Sequence, residues 1–298
     1  MATADPLVSV GVPVRNGENR VAAAVESALS QVYGNIQVVI SDNASTDATE
    51  EVCRSLARRD PRVRYHRHAE NVGLLNNFIA AMELAEGELF CWLGDDDQFE
   101  ATFLDPSVEL LVRDPSLILA TTGVRWIGAD GQRTVRPYDG TAMRSTDRAD
   151  RFVTMLKMLN EDAAIDPLAS LMRREPVTRI RRHNMMREDQ IFATQLALAG
   201  PWGHTPEVLL SRRWKDATRL ELAAYLGLPA WQGRFTTAFQ TGELMRVVSN
   251  AAFSPADRRK ARTAVLGHYV GWHRRRVSNG IRRVAASTRN RVHSSPPR

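Results

Sequence analysis

Apolar and polar positions along the first hundred residues switch repeatedly between a strand-like and a helical period. Leu7 to Val12 is a short, β-branched apolar run that Pro13 breaks. From about Gly17 to Val32 the apolar positions Val21, Val25, Ala28, Leu29 and Val32 recur at helical spacing, which predicts strand, loop, helix. Ile36 to Ser41 predicts a second strand, followed by Asp42-Asn43-Ala44-Ser45-Thr46-Asp47 and a helix with Val52 and Leu56 inward. Thr46 or Asp47 can cap that helix, and Glu50 and Glu51 lie in its first turn, where carboxylates suit the helix dipole. Arg62 to His66 reads as a third strand, Asn71-Val72-Gly73 as a turn, and Leu75, Phe78, Ile79 and Met82 as the buried stripe of a third helix. Leu89 to Leu93 is a fourth strand. Strands alternating with helices at this spacing predict βαβ units, hence an α/β fold with a mostly parallel sheet flanked by helices.

The second half is less regular. Leu117 to Ile127 is a long β-type run, and Gly128-Ala129-Asp130-Gly131 turns it toward a short extended piece around Arg133 to Arg136, which predicts a hairpin. Arg151 to Leu159 reads as an amphipathic helix, Pro167 to Arg174 as a strand, and Pro206 to Leu210 as another strand. Between the last two, Arg187 to Gly200 predicts a helix that begins with Glu188 and Asp189 and packs Ile191, Phe192, Leu196 and Ala199 inward. After about residue 216 come helical patterns at Leu220 to Leu226, Gln232 to Val248 and Pro255 to Tyr269, with a loop at Gly227-Leu228-Pro229. The expected division is therefore an α/β domain over 1–215 and a helical C-terminal extension with a basic tail over 216–298.

Composition narrows the class of protein. At 298 residues, 43% hydrophobic and 25% charged, the chain is an ordinary globular one with room for a sizeable core. The net charge of +6 is carried almost entirely by arginine, the lysines being Lys157, Lys215 and Lys260. Cys53 and Cys91 fall in a predicted helix and a predicted strand, where they read as small core residues and not as a disulfide, so a reducing cytoplasm is the expected setting. No apolar run reaches the length of a membrane span, and the N-terminus lacks the charged and apolar regions of an export signal. His66 and His68 could share a metal on a strand, but no cysteine or further histidine lies close in sequence, so a strand-edge role is favoured.

The fourth strand ends in Gly94-Asp95-Asp96-Asp97. Three adjacent carboxylates repel one another and become tolerable together when a hard divalent cation such as Mg²⁺ or Mn²⁺ neutralises them. The plain alternative is a solvated acidic turn. The position favours the cation, because ligands of open α/β sheets bind outside the carboxyl ends of the strands. Val14-Arg15-Asn16 after the first strand and Asp42-Asn43 after the second would reach the same rim of a parallel sheet. Neither a G-x-G-x-x-G turn nor a P-loop is present, so the sequence predicts a nucleotide site without a glycine-rich phosphate cradle.

Five motifs in order carry a resemblance: Val8 to Gly17, the helix ending Ser27-Ala28-Leu29-Ser30-Gln31, the Ser41 to Asp47 turn, Asn71-Val72-Gly73, and Ala85-Glu86-Gly87-Glu88 leading into the triple aspartate. Over about ninety residues the chain resembles the N-terminal half of a family 2 glycosyltransferase of GT-A, Rossmann-like fold. The resemblance implies an inverting transferase with a nucleotide-diphosphate sugar donor and a hydroxyl-bearing glycan, lipid-linked or small-molecule acceptor. It implies nucleotide-sugar contacts from Pro13, Arg15, Asn16, Asp42, Asn43, Asn71, Gly73, Asp95, Asp96 and Arg213, and Mn²⁺ or Mg²⁺ held by Asp96 or Asp97. Gly94 stands where many members carry a further aspartate, and Asn43 where an acidic residue is common. The segment from Arg187 resembles the family's Glu-Asp motif, which places the catalytic base on Asp189, with Glu188 orienting it or touching the acceptor. By itself, a pair of acids in a first helical turn is equally a dipole-favoured structural feature. Arg213 and Lys215 are weaker candidates for phosphate contact and Trp214 for sugar stacking.

The chemistry suits these residue types. Cleavage of the sugar–phosphate bond develops negative charge that a cation stabilises, and the attacking hydroxyl must lose a proton to a base on the opposite face. Two other readings remain at this level: a sugar-phosphate nucleotidyltransferase, and a non-catalytic nucleotide-sugar or glycan-binding protein of the same fold. The first would normally carry a glycine-rich, lysine-containing loop where this chain has Val14-Arg15-Asn16-Gly17-Glu18; intact acids at both positions argue against the second. The C-terminal arginines, with no acid after Asp257, suit either an anionic membrane surface on the cytoplasmic side or a solvated, partly disordered tail. Nucleic acid is not an expected partner, since the arginines lack interleaved aromatics and no recognition module is present.

Overall fold

The computed structural model describes residues 5–160, 165–214 and 217–293. The first half runs β1 (Val8–Val14), α1 (Val21–Leu29), β2 (Ile36–Asp42), α2 (Thr49–Arg59), β3 (Val63–Arg67), α3 (Leu74–Glu83), β4 (Leu89–Trp92), β5 (Gln98–Phe99) and α4 (Leu104–Arg113). The second half continues with β6 (Leu119–Ile127), β7 (Arg133–Val135), α5 (Arg148–Asn160), β8 (Leu171–Arg173), α6 (Arg174–Thr178), α7 (Glu188–Ala199) and β9 (Trp202–Arg213). The C-terminal helices are α8 (Arg219–Tyr225), α9 (Ala230–Arg234), α10 (Thr236–Asn250) and α11 (Pro255–His293).

The described strands form one sheet in the order β3-β2-β1-β4-β8-β6-β9-β5, with β7 paired to β6. As the alternating pattern predicts, β3, β2, β1 and β4 are parallel. Beyond β4 the sheet is mixed: β8 is antiparallel to both its neighbours, β6 and β9 are parallel, and β5 returns antiparallel on β9. The predicted hairpin is present as β6 and β7, in register from Arg125 opposite Val135 to Ile127 opposite Arg133.

Five local expectations are corrected by packing. Pro13 does not break β1, which continues to Val14 with Pro13 opposite Ser41. The reason is directional: Gly11 accepts from Leu93 on the β4 side and Val14 accepts from Asn43 on the β2 side, so Pro13 also faces β4. There the ladder already ends at Gly11 opposite Trp92, and no donor is missed. Val32 lies outside α1 and is 67% exposed, because the helix stops at Leu29. Only Leu171 to Arg173 of the expected Pro167 to Arg174 strand is extended; a turn closed by Ser170 N–H on Pro167 C=O precedes it. The strand predicted from Pro206 begins at Trp202 and runs on to Arg213. Ala199 is exposed, whereas Ile191 through Thr194, Leu196 and Ala197 are buried. This helix is covered on most of its circumference and so shows no single stripe.

That burial has two sources. Phe192, Ala193, Leu196 and Ala197 pack with Phe90, Trp92, Met172 and Trp202 against the sheet. Ile191 packs instead with Phe152 and Leu156 of α5, Leu244, Val247 and Val248 of α10, and Ala261 and Val265 of α11. The C-terminal helices thus share an apolar core with α5 and α7. Cys53 and Cys91 are free and buried, and burial raises the Cys53 thiol to about 12 and that of Cys91 further.

Candidate active site

The carboxyl ends of β1, β2, β3 and β4 converge, as a parallel sheet requires. Asn16, held at a positive φ of 51° that asparagine tolerates well, accepts from Thr46 N–H through its side-chain oxygen at 2.9 Å. Its own N–H donates to Ser45 Oγ at 2.9 Å, and Gly17 N–H donates to Thr49 Oγ1 at 2.8 Å. These bonds join the loop after β1 to the loop after β2. Asn43 extends the connection, its buried side-chain oxygen accepting from Val72 N–H at 2.8 Å beside Asn71 and Gly73. Gly73 has a φ of 89°, a conformation that the turn into α3 assigns to glycine. Arg15 is exposed on this rim, while Pro13 is buried in β1.

Asp42 is placed differently from the other nucleotide candidates. It is fully buried, with Oδ1 accepting from Ser45 N–H (2.9 Å) and Ser45 Oγ (2.5 Å) and Oδ2 accepting from Tyr65 Oη (2.7 Å). The Asp42 carboxylate therefore shapes the loop after β2. A buried acceptor of this kind must be paired, and here Ser45 on the same loop and Tyr65 and Arg67 of β3 pair it.

The triple aspartate divides into three roles. Asp95 accepts from Arg20 Nη2 at 2.7 Å, which brings α1 to the end of β4. Asp97 is 2% exposed and turns toward β9: Oδ2 accepts from Arg212 Nε and Oδ1 from Arg213 N–H, each at 3.0 Å. A Cβ on residue 94 would lie 2.6 Å from Asp97 Oδ2, so the glycine there makes room for that carboxylate. Asp96 is partly exposed at the same edge. Among the described residues no three His, Cys, Asp or Glu side chains form a cluster able to hold a metal, and His66 and His68 belong to none.

On the other side, a cleft of about 700 Å³ is lined by the β6–β7 hairpin, the segment from Ile165 to Leu168, the N-terminal part of α7, and Trp214. Asp189 and Gln190 are on its wall. Glu188 is gripped by Arg182, whose Nε and Nη2 each donate to it at 2.6 Å, and the guanidinium lies over the Phe192 ring at 4.1 Å. Asp189 is exposed to the cleft. Desolvation, and then the neighbouring Glu188 carboxylate, raise its pKa above the ordinary aspartate value.

Arg212 connects the two regions. It pairs with Asp97 and with Asp166 on the cleft wall, and its guanidinium lies 5.7 Å from the Trp126 ring centroid. Trp126 in turn meets Trp214 edge to face at 6.0 Å. Of the SRRWK segment, the sequence singled out Arg213, Trp214 and Lys215. Trp214 is on the cleft, Arg213 meets Asp97 through its backbone, and Lys215 lies outside the described residues. Arg20, Trp126, Asp166, Arg182 and Arg212 were not found by sequence reasoning. For Arg212 a signal existed, since a strand carried past Leu210 would set residues 212 and 213 on opposite faces. The nucleotide candidates of β1 to β3 do not line the cleft that holds Asp189.

The profile described as glycosyl transferase family 2 matches residues 9–181, from β1 to just beyond α6. Chondroitin synthase of Pasteurella multocida is 31% identical over 134 residues, 45% of this chain and 14% of that protein. The chain spans between 14% and 33% of the length of the curated relatives it matches. Among solved structures, S. aureus TarS in complex with UDP-GlcNAc superposes with a TM-score of 0.63 at 14% identity, covering 89% of this chain and 72% of that one. The mannosyltransferase PcManGT of Pyrobaculum calidifontis, in complex with GDP-Man and Mn²⁺, gives 0.54 at 17%, covering 90% and 86%. At these identities the structural likeness establishes the GT-A fold, and the profile match over more than half the sequence establishes the family: the chain belongs to glycosyl transferase family 2.

Proposed function

We propose that this protein is a metal-assisted, inverting glycosyltransferase that moves a sugar from a nucleoside-diphosphate donor to an acceptor hydroxyl. The observation that carries this reading is the Asp189 carboxylate, exposed on the wall of the cleft beside a Glu188 immobilised by Arg182. A base in that position takes the proton of the acceptor hydroxyl as its oxygen attacks the anomeric carbon, and the bond to the diphosphate breaks on the opposite face. Asn43, Asn71, Gly73, Arg15 and Asn16 form the rim for the nucleoside, with Asp42 and Pro13 supporting it from below. UDP-GlcNAc and GDP-Man bound by structural neighbours support a nucleotide-sugar donor in general and leave the base open.

The donor set fits a hard cation. Asp96 supplies carboxylate oxygens at this edge, whereas Asp95 pairs with Arg20 and Asp97 with Arg212 and Arg213 N–H. Mg²⁺ and Mn²⁺ sites of this kind are completed by substrate phosphates, which agrees with the lack of a protein-only cluster among the described residues. The ion would supply charge stabilisation for the departing diphosphate. Thermal shift with UDP, GDP, dTDP and CDP, with and without Mn²⁺, tests this reading. Saturation at about one hundred times Kd adds about 2.7 kcal/mol of stability. At least one nucleotide is expected to raise the melting temperature in the presence of Mn²⁺, and Asp96→Ala to remove the Mn²⁺-dependent part. Flat curves for all four nucleotides would refute the donor assignment.

Peripheral contact with an anionic membrane belongs to the same reading. Among the described residues no helix is long and apolar enough to cross a membrane. Yet Tyr225, Trp231, Phe235 and Phe239 are exposed on α8 to α10, and α11 has no acid after Asp257 while carrying Arg258, Arg259, Arg262 and Arg274 to Arg276. Exposed aromatic side chains and a basic helix in one extension suit a headgroup interface. The full chain is expected to sediment with phosphatidylglycerol-containing vesicles and to do so less after truncation at Ser278. Equal sedimentation of the two would favour the solvated-tail reading.

A further inference from the structure

Helix α7 carries the Glu188-Asp189 pair in its first turn, and the residue that starts it is unusual. Arg187 adopts φ 62° and ψ 31°, the left-handed region, which a long side chain rarely occupies without being held there. Its carbonyl accepts from Gln190 N–H at 3.1 Å and Ile191 N–H at 3.2 Å, so its conformation sets where the helix begins. Besides its charge interaction with Asp189, the side chain is held by the C-terminal helices. Nη1 donates to Gln240 Oε1 of α10 at 2.5 Å, and the guanidinium lies over the Trp272 ring of α11 at 5.0 Å. Arg219 of α8 packs on that ring at 4.5 Å. Burial, then the Arg219 charge, lower the Arg187 pKa to about 10, against the opposing pull of the Asp189 carboxylate.

Gln240 is fully buried and makes a second bond: its Nε2 donates to Gln190 Oε1 at 2.6 Å. Gln190 is on the cleft wall next to Asp189. One side chain of α10 therefore fixes the residue before the acid pair and the residue after it. At the far end of the helix, buried Arg151 of α5 donates to the Ala197 carbonyl at 2.7 Å, so α7 is fixed at both ends.

We infer that Gln240 and Trp272 are positioning residues for the Asp189 base, so that the C-terminal helices complete the active site. This rests on the assignment of Asp189 as base. Gln240→Met keeps the length and apolar packing of the side chain and removes both hydrogen bonds. Gln240→Glu keeps an acceptor for Arg187, and Trp272→Leu removes the ring face without touching Gln240.

A misplacement of the order of 1 Å costs up to about a hundredfold in rate, so Gln240→Met is expected to lower kcat at least about tenfold. Donor KM and the nucleotide-dependent thermal shift should stay within about twofold, the split expected when only transition-state interactions are lost. Gln240→Glu should recover part of kcat, and Trp272→Leu should fall between wild type and Gln240→Met. Amide exchange of Gln190 and Ile191 should accelerate in Gln240→Met while that of Phe192 to Ala197 is unchanged, a readout that does not depend on activity. A Gln240→Met protein with wild-type kcat, or with unaltered exchange at Gln190 and Ile191, would overturn the inference. Failure of the transferase reading would be seen separately, as a wild-type protein with neither transfer nor a nucleotide-dependent shift.

Discussion

Asp189→Asn is expected to abolish sugar transfer while leaving nucleotide binding intact and raising the melting temperature at neutral pH. The first part follows from chemistry, since removal of a general base typically costs about 10²- to 10⁴-fold. The second follows from location: Asp189 is on the cleft wall, away from the β1 to β3 rim assigned to the nucleoside. The third follows from linkage. Desolvation and Glu188 raise the folded-state pKa of Asp189 above its unfolded value. Between the two values the folded protein holds a proton that the unfolded chain has released, so stability falls as pH rises through that interval and stays lower above it. Asparagine removes the ionisation and with it this loss. The stability difference between variant and wild type should vanish below the ordinary aspartate pKa and grow as pH rises. In the wild type the acid limb of kcat should lie above the ordinary aspartate range, because the base works only when deprotonated. Transfer by Asp189→Asn at the wild-type rate would dismiss the base assignment.

Arg212→Leu is expected to be the most damaging single change to stability at this site. Removing one partner of a buried ion pair leaves the other charge uncompensated, at a cost of about 3–5 kcal/mol. Asp97, 2% exposed, would keep only the Arg213 N–H, and Asp166 would lose its link to the sheet. For a chain of this size that corresponds to a fall of about 10 °C in melting temperature. The effect should also reach function, because Arg212 fastens the loop carrying Asp95 to Asp97 to the cleft wall. Nucleotide-dependent thermal shift is therefore expected to weaken together with Tm. Adding Asp97→Asn should restore part of the stability by removing the stranded charge, as a double-mutant cycle would show. A melting temperature within about 2 °C of wild type would mean that water compensates Asp97 and that the pair is incidental.

The first half of the fold was legible because local period and tertiary role agree there. Val8 to Val14, Ile36 to Asp42 and Leu89 to Trp92 are buried throughout, so predominantly apolar, β-branched runs identify them and glycine-, asparagine- and aspartate-rich stretches mark their ends. Helix α7 was found but its inner face was misjudged at Ala199, since α7 is buried between the sheet and the C-terminal helices and has no polar side to contrast with. The residues missed at the site are mostly arginines. An arginine in sequence looks the same whether it is solvated or buried; the partner decides, and Asp97 lies 115 positions from Arg212.

The alternation of strands and helices in the first half, the acids at the end of β4 and the acids opening α7 follow from the amino-acid sequence itself, because short-range spacing and strand-end placement encode them. What the tertiary structure alone decided is the division of labour among those acids. Asp97 is drawn off to Arg212, Asp42 is enclosed by Ser45 and Tyr65, and Glu188 is clamped by Arg182. Asp189 keeps its surface to the cleft beside the Arg187–Gln240 brace. Carboxylates are chemically alike along a chain; burial and the nearest cation, both products of long-range packing, make them different.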